Sequence, residues 1–99
     1  MATFSEVINS EKPVLVDFFA EWFGPCKVMK TVLEELKGKI GDAATIVKVD
    51  VEKNAKAGTA YGIQIVPTLI LFKRGKVLWR QSGILEAGQL EEIINTTLG

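Results

Sequence analysis

Ninety-nine residues suffice for one domain with a single core of two or three layers, burying about two thirds of the unfolded chain's surface. Twelve Lys and Arg balance twelve Asp and Glu, so no bulk positive charge is available to hold nucleic acid or an anionic membrane surface. The absence of His removes Ser-His-Asp and Cys-His catalysis, His-ligated metal and a His-based pH switch, and a lone Cys can close no internal disulfide or thiolate zinc cage.

The first twelve residues carry Glu6, Glu11 and Lys12 and no long apolar stretch, which predicts no secretory signal. The longest apolar run, residues 65–72, is interrupted by Pro67 and Thr68 and falls far short of the roughly 20 residues of a membrane span. A soluble, cytoplasmic protein in a reducing compartment is expected, which fits an unpaired thiol. No glycine-rich nucleotide loop or ligand cluster is present, so no cofactor and no metal are expected.

In chain order, Phe4, Val7 and Ile8 have helical spacing, with a cap near Thr3 or Ser5. Pro13 ends that segment. Residues 14–19 are apolar on both faces except for Asp17, as in a strand covered on both sides. Residues 22–24 form a loop, and Pro25 suits the first turn of a helix. Val28, Met29, Val32, Leu33 and Leu36 make its apolar stripe; Lys27, Lys30, Glu34, Glu35 and Lys37 lie on the wet side, and Gly38 or Gly41 ends it. A second strand follows at 45–51 and a short helix at 55–61, stopped by Gly62. A third strand at 68–72 is entered through Val66-Pro67. Residues 73–76 turn it back into a fourth strand at 77–81, broken by Gly83. Leu90, Ile93 and Ile94, with Thr97 or Leu98, form the inner face of a last helix. The order is α-β-α-β-α-β-β-α. Strand-helix-strand crossovers in the first half predict parallel pairing, and the tight turn makes the last two strands antiparallel. The result is a mixed sheet with helices on both faces.

The segment Val16 to Lys27, Val-Asp-Phe-Phe-Ala-Glu-Trp-Phe-Gly-Pro-Cys-Lys, resembles the active-site segment of the thioredoxin family, Trp-Cys-Gly-Pro-Cys-Lys. Residues 46–50, Tyr61-Gly62-Ile63, Val66-Pro67-Thr68, 72–76, Gly83 and Gly88-Gln89-Leu90 match further family segments in order and spacing. The resemblance covers nearly the whole chain. It implies a thioredoxin-like three-layer α/β/α sandwich over residues 1–99, and a family chemistry of thiol-disulfide exchange with other proteins. In that chemistry a first Cys at a helix N-terminus, its thiolate favoured by free N–H groups, attacks a target disulfide. A second Cys one turn further in then releases the product.

Here Phe23 stands at the first Cys position, and only Cys26, at the resolving position, remains. A phenyl ring forms no mixed disulfide, so the dithiol cycle is expected to fail. Cys26 itself reads most simply as a small, buried, inert thiol, since burial raises a thiol's pKa. By resemblance, Asp17 is the buried carboxylate beneath the second Cys and Lys48 its partner, a proton-transfer pair. Pro67 is implied to be cis against the active-site turn, shaping with Trp22, Gly24, Pro25, Ile65 and Val66 a groove for an extended partner segment. Gly83 is implied to be a flat spot beside that groove. For Asp17 the plainer alternative is a strand edge with access to water; for the groove residues, turn geometry and packing; for Gly83, a strand terminator.

Other departures from the family pattern are Ile65 in place of a small residue, Thr31 in place of a kinking Pro, and Glu86 in place of a Ser cap. The family's N-terminal strand is absent or very short, which leaves residues 45–51 at a sheet edge. Trp22, Phe23 and Ile65 are expected to form an apolar patch that contacts a protein partner or a second copy. Three readings follow: a redox-impaired chain whose parent is an active thioredoxin-family enzyme, a redox-silent binding or self-associating module, and a monothiol enzyme using Cys26.

Overall fold

The computed structural model describes residues 3–98. The elements are α1 (Phe4–Ile8), β1 (Val14–Phe19), α2 (Gly24–Ile40), β2 (Thr45–Asp50), α3 (Ala55–Ala60), β3 (Thr68–Lys73), β4 (Lys76–Ser82) and α4 (Ala87–Leu98). The four strands form one sheet in the order β2-β1-β3-β4. Parallel pairing is confined to β1 and β2; β3 runs antiparallel to β1, and β4 antiparallel to β3. The predicted order of elements is observed, and boundaries differ by one or two residues.

Two cores explain the layers. Because side chains alternate along a strand, β1 sends Leu15 to one face and Val14, Val16 and Phe18 to the other. Leu15, Leu69 and Leu71 pack under Met29, Leu33 and Leu36 of α2 and Leu90 and Ile94 of α4. On the opposite face Val16, Phe18, Ile70 and Phe72 pack against Ile8 of α1 and, around α3, Ala57, Tyr61 and Ile63. There Phe4 lies edge-on to Phe72 and Tyr61, at centroid distances of 6.0 and 5.7 Å.

Local chemistry sets the ends of elements. Thr3 and Glu6 form a reciprocal capping box on α1, with Thr3 Oγ1 accepting from the Glu6 N–H at 3.2 Å. Ahead of α4, the Glu86 N–H donates to Gln89 Oε1 at 2.9 Å, so Gln89 supplies a cap from inside the helix where no Ser is present. The β3–β4 turn has Arg74 at φ 54° and Gly75 at φ 78°, the left-handed pair of a two-residue hairpin. Its tip is tied down: Arg74 N–H donates to Ser10 O and Gly75 N–H to Ile8 O. The inner face of α4 is Ala87, Leu90 and Ile94. Ile93, expected inside, is only half-buried and Thr97 is exposed, because the buried stripe follows positions 87, 90 and 94; the Leu98 side chain lies outside the described residues.

β2 is a sheet edge. Thr45 N–H donates to Pro13 O at 2.8 Å and Val51 N–H to Phe19 O at 2.9 Å, so odd-numbered residues here turn their backbone toward β1. Ile46 and Lys48 turn theirs outward.

Asp17 is the costly residue of this design. It sits mid-strand in β1, 1% exposed, and its Oδ1 has no hydrogen-bond partner. Desolvation pushes its pKa from 3.8 up to about 7, and the Lys48 charge opposes the rise only in part. The folded chain therefore holds this proton more tightly than the unfolded one, and stability falls as pH rises from about 4 through 7. Asp17→Asn is expected to stabilise the protein at pH 8 by up to about 4 kcal/mol and to have little effect near pH 4; urea melts at the two pH values measure this. Truncation of the core at Leu69→Ala is expected to cost about 2–5 kcal/mol, whereas Val77→Ala on β4, where Val77 is 47% exposed, should change stability by no more than about 0.5 kcal/mol.

Candidate functional site

The site is built where β1 ends and α2 begins. Ala20 to Phe23 turn the chain, with Phe23 N–H donating to Ala20 O at 3.2 Å. Phe23 occupies the N-cap of α2, where it offers no side-chain acceptor, and Pro25 lies in the first turn, where its missing N–H costs nothing. Cys26 N–H donates to Phe23 O at 3.0 Å. The helix thus begins with an aromatic ring where a polar cap would ordinarily be found. Gly24 is exposed and Pro25 half-buried.

Cys26 is a free thiol, 5% exposed, on the inner side of α2. Its Sγ accepts from the Ala20 N–H at 3.5 Å. Burial pushes the thiol pKa up, the Ala20 N–H pulls it back, and the nearby Asp17 charge adds to the rise. At neutral pH the thiol form is favoured.

Asp17 and Lys48 stand opposite each other in the β1–β2 register. Both line a cavity of about 270 Å³ on the flank of α2 that Cys26 also lines. They are together but not joined: among the described residues no ion pair links them, Lys48 is exposed, and Asp17 Oδ1 is left without a partner.

The expected groove residues meet on the adjoining surface. Trp22 and Phe23 pack edge to face at a centroid distance of 5.5 Å. With Gln64, Ile65 and Val66 they line a shallow depression of about 250 Å³. Trp22 is 70% exposed and Ile65 62%, so the depression is rimmed by large apolar side chains. The Val66–Pro67 peptide is cis, and Pro67 is buried. Two ties hold this loop to β4: Gly83 N–H donates to Pro67 O at 2.8 Å, and the Thr68 hydroxyl bonds both Ile65 O and Ser82 Oγ. Gly83 adopts φ 97°, a conformation side chains disfavour, while no heavy atom lies within 4 Å of where its Cβ would be. The backbone requires the glycine, and the surface beside it stays open.

Three residues of this region, Gln64, Lys27 and Lys30, are not among the expected site residues. Gln64, an uncharged loop residue, carries no signal of its own. Lys27 and Lys30 are correctly placed on the exposed side of α2, yet they also rim the cavity at Cys26. Their spacing holds a clue, since Lys30 lies one helical turn after Cys26.

Comparison with known proteins gives a coherent answer. The Thioredoxin family model matches residues 1–96. Thioredoxin Y, chloroplastic, of Oryza sativa subsp. japonica is 45% identical over 98 residues, covering 98% of this chain and 58% of that protein. The chain therefore spans little more than half the length of this plant relative. A thioredoxin-like protein of Synechocystis is 43% identical over 90 residues, covering 90% of this chain and 86% of its own. A mutant thioredoxin from Halobacterium salinarum NRC-1 superposes with a TM-score of 0.85 at 33% identity, covering 96% of this chain and 82% of that one. The fold is thus a thioredoxin-like α/β sandwich, and the chain belongs to the thioredoxin family.

Proposed function

We propose that residues 1–99 form one thioredoxin-like domain that engages protein partners at the Trp22–Phe23–Ile65–Val66 surface without completing dithiol exchange. The observation that carries this reading is Phe23 at the N-cap of α2, three residues before the chain's one thiol. Dithiol exchange needs two sulfurs: one to attack the target and a second to displace it from the mixed disulfide. A benzyl group supplies neither a nucleophile nor a leaving group. Cys26, buried and held toward its thiol form, is poorly suited to take over the first attack on a folded protein.

The surface supports partner binding independently of sulfur chemistry. Trp22 and Ile65 expose large apolar area at the depression, and Gly83 leaves room for a partner's backbone to approach. An extended segment with an apolar side chain over Trp22 and Phe23 is the partner chemistry this fits. A second copy of the chain is the alternative occupant of the same patch. The single thiol is compatible with a reducing compartment such as the cytoplasm.

Insulin reduction with dithiothreitol as electron donor tests the reading. The chain is expected to accelerate it no further than the donor alone. Phe23→Cys, which restores a sulfur at the helix start above an otherwise intact scaffold, is expected to raise the rate by about two orders of magnitude or more. Turnover by the unsubstituted chain above the donor background would overturn the proposal.

A further inference from the structure

The flank cavity is a second route to sulfur, distinct from the apolar surface above it. Cys26 lines it beside Asp17, whose Oδ1 is buried and has no hydrogen-bond partner. Around these two groups the lining is cationic. Lys27 and Lys30 come from α2 and Lys48 from β2. None of the three is in an ion pair among the described residues, and all are exposed. The other acid at the rim, Glu21, is engaged 3.9 Å from Lys53. A buried thiol, a buried carboxylate and three exposed lysines thus line one cavity of about 270 Å³.

We propose that Cys26 is a modification site for small anionic disulfides, which enter by this cavity and are held at its mouth by Lys27, Lys30 and Lys48. The steps balance without any group outside the proposal. Asp17, as carboxylate, takes the Cys26 proton. The thiolate attacks one sulfur of the disulfide R–S–S–R, the S–S bond breaks, and a Cys26–S–S–R bond forms. Cys26 is oxidised, and the departing R–S⁻ is reduced and takes up a proton from Asp17 or solvent. The ammonium groups concentrate the anionic molecule and stabilise the departing thiolate. No second thiol exists in the chain, so the adduct persists until an external thiol removes it. Modification at Cys26 rests, as the proposed function does, on the absence of a second thiol, and is independent of partner binding at the apolar patch. Insulin turnover by the unsubstituted chain would overturn the proposed function while leaving thiol labelling of Cys26 unchanged.

The test compares the rates at which folded protein reacts with dianionic 5,5′-dithiobis(2-nitrobenzoate) and neutral 2,2′-dithiodipyridine. Each rate is normalised to that of the same chain in guanidinium chloride, and adducts are checked by mass. The anionic probe is expected to show a normalised rate at least about tenfold above the neutral one. Added salt, or Lys27→Glu with Lys30→Glu, should abolish that advantage. Asp17→Asn separates a proton acceptor from a bystander charge. As acceptor, its loss should slow labelling by about tenfold or more; as a mere charge, its loss should accelerate labelling, because Asp17 raises the thiol's pKa. Equal normalised rates for the two probes, labelling of folded protein only at the rate of global unfolding, or an Asp17→Asn variant that reacts as fast or faster would overturn the proposal.

Discussion

The architecture depends on β1 being covered on both faces. This six-residue strand pairs with β2 on one side and β3 on the other, and its alternating side chains feed both cores. Fully two-sided burial leaves no inexpensive position for a charge, yet Asp17 lies in the middle of it. The carboxylate falls on the α2 face, beneath the first turn of that helix, so the buried acid with the raised pKa adjoins the chain's single thiol. A strand that carried an apolar residue there would give a more stable sheet and a chemically empty cavity.

The start of α2 shows the opposite economy. Its backbone turns tightly at Ala20 and places Pro25 in the first turn, and the Phe23 and Cys26 N–H groups are already bonded to Ala20 O and Phe23 O. Phe23 fills the N-cap with hydrocarbon and extends the apolar surface of Trp22. The exposed apolar surface lies at the top of the loop, and the buried thiol lines the cavity on the flank of the helix.

Periodicity made much of this fold legible. The two-sided apolar run of residues 14–19, the helical stripe of Met29, Val32, Leu33 and Leu36 and the paired hairpin strands required no tertiary information, whereas Val28, expected in that stripe, is 50% exposed; the family resemblance directed attention to Phe23, Cys26, Asp17 and Pro67. What escaped depended on distance in space. The direction of β3 relative to β1 is set by how the chain returns after α3, which local patterning does not encode. Ile93 looks as apolar as Ile94, but the pitch of α4 against the sheet favours Ala87 over it. The opposition of Asp17 and Lys48 followed from matching strands, whereas the gap that leaves Oδ1 bare depends on ångström-scale positions. Lys27 and Lys30 are exposed, as their helical spacing predicts; that they also overlook a thiol becomes visible only when α2 is set against β2.

The outward backbone of Ile46 and Lys48 has a bearing on colloidal behaviour. Open strand edges are templates for endless ladders, and proteins commonly guard them with a lysine at mid-strand. Lys48 occupies that place on β2. Two copies zipping edge to edge about this residue would bring ammonium against ammonium, so the lysine that overlooks the sulfur cavity also disfavours that pairing.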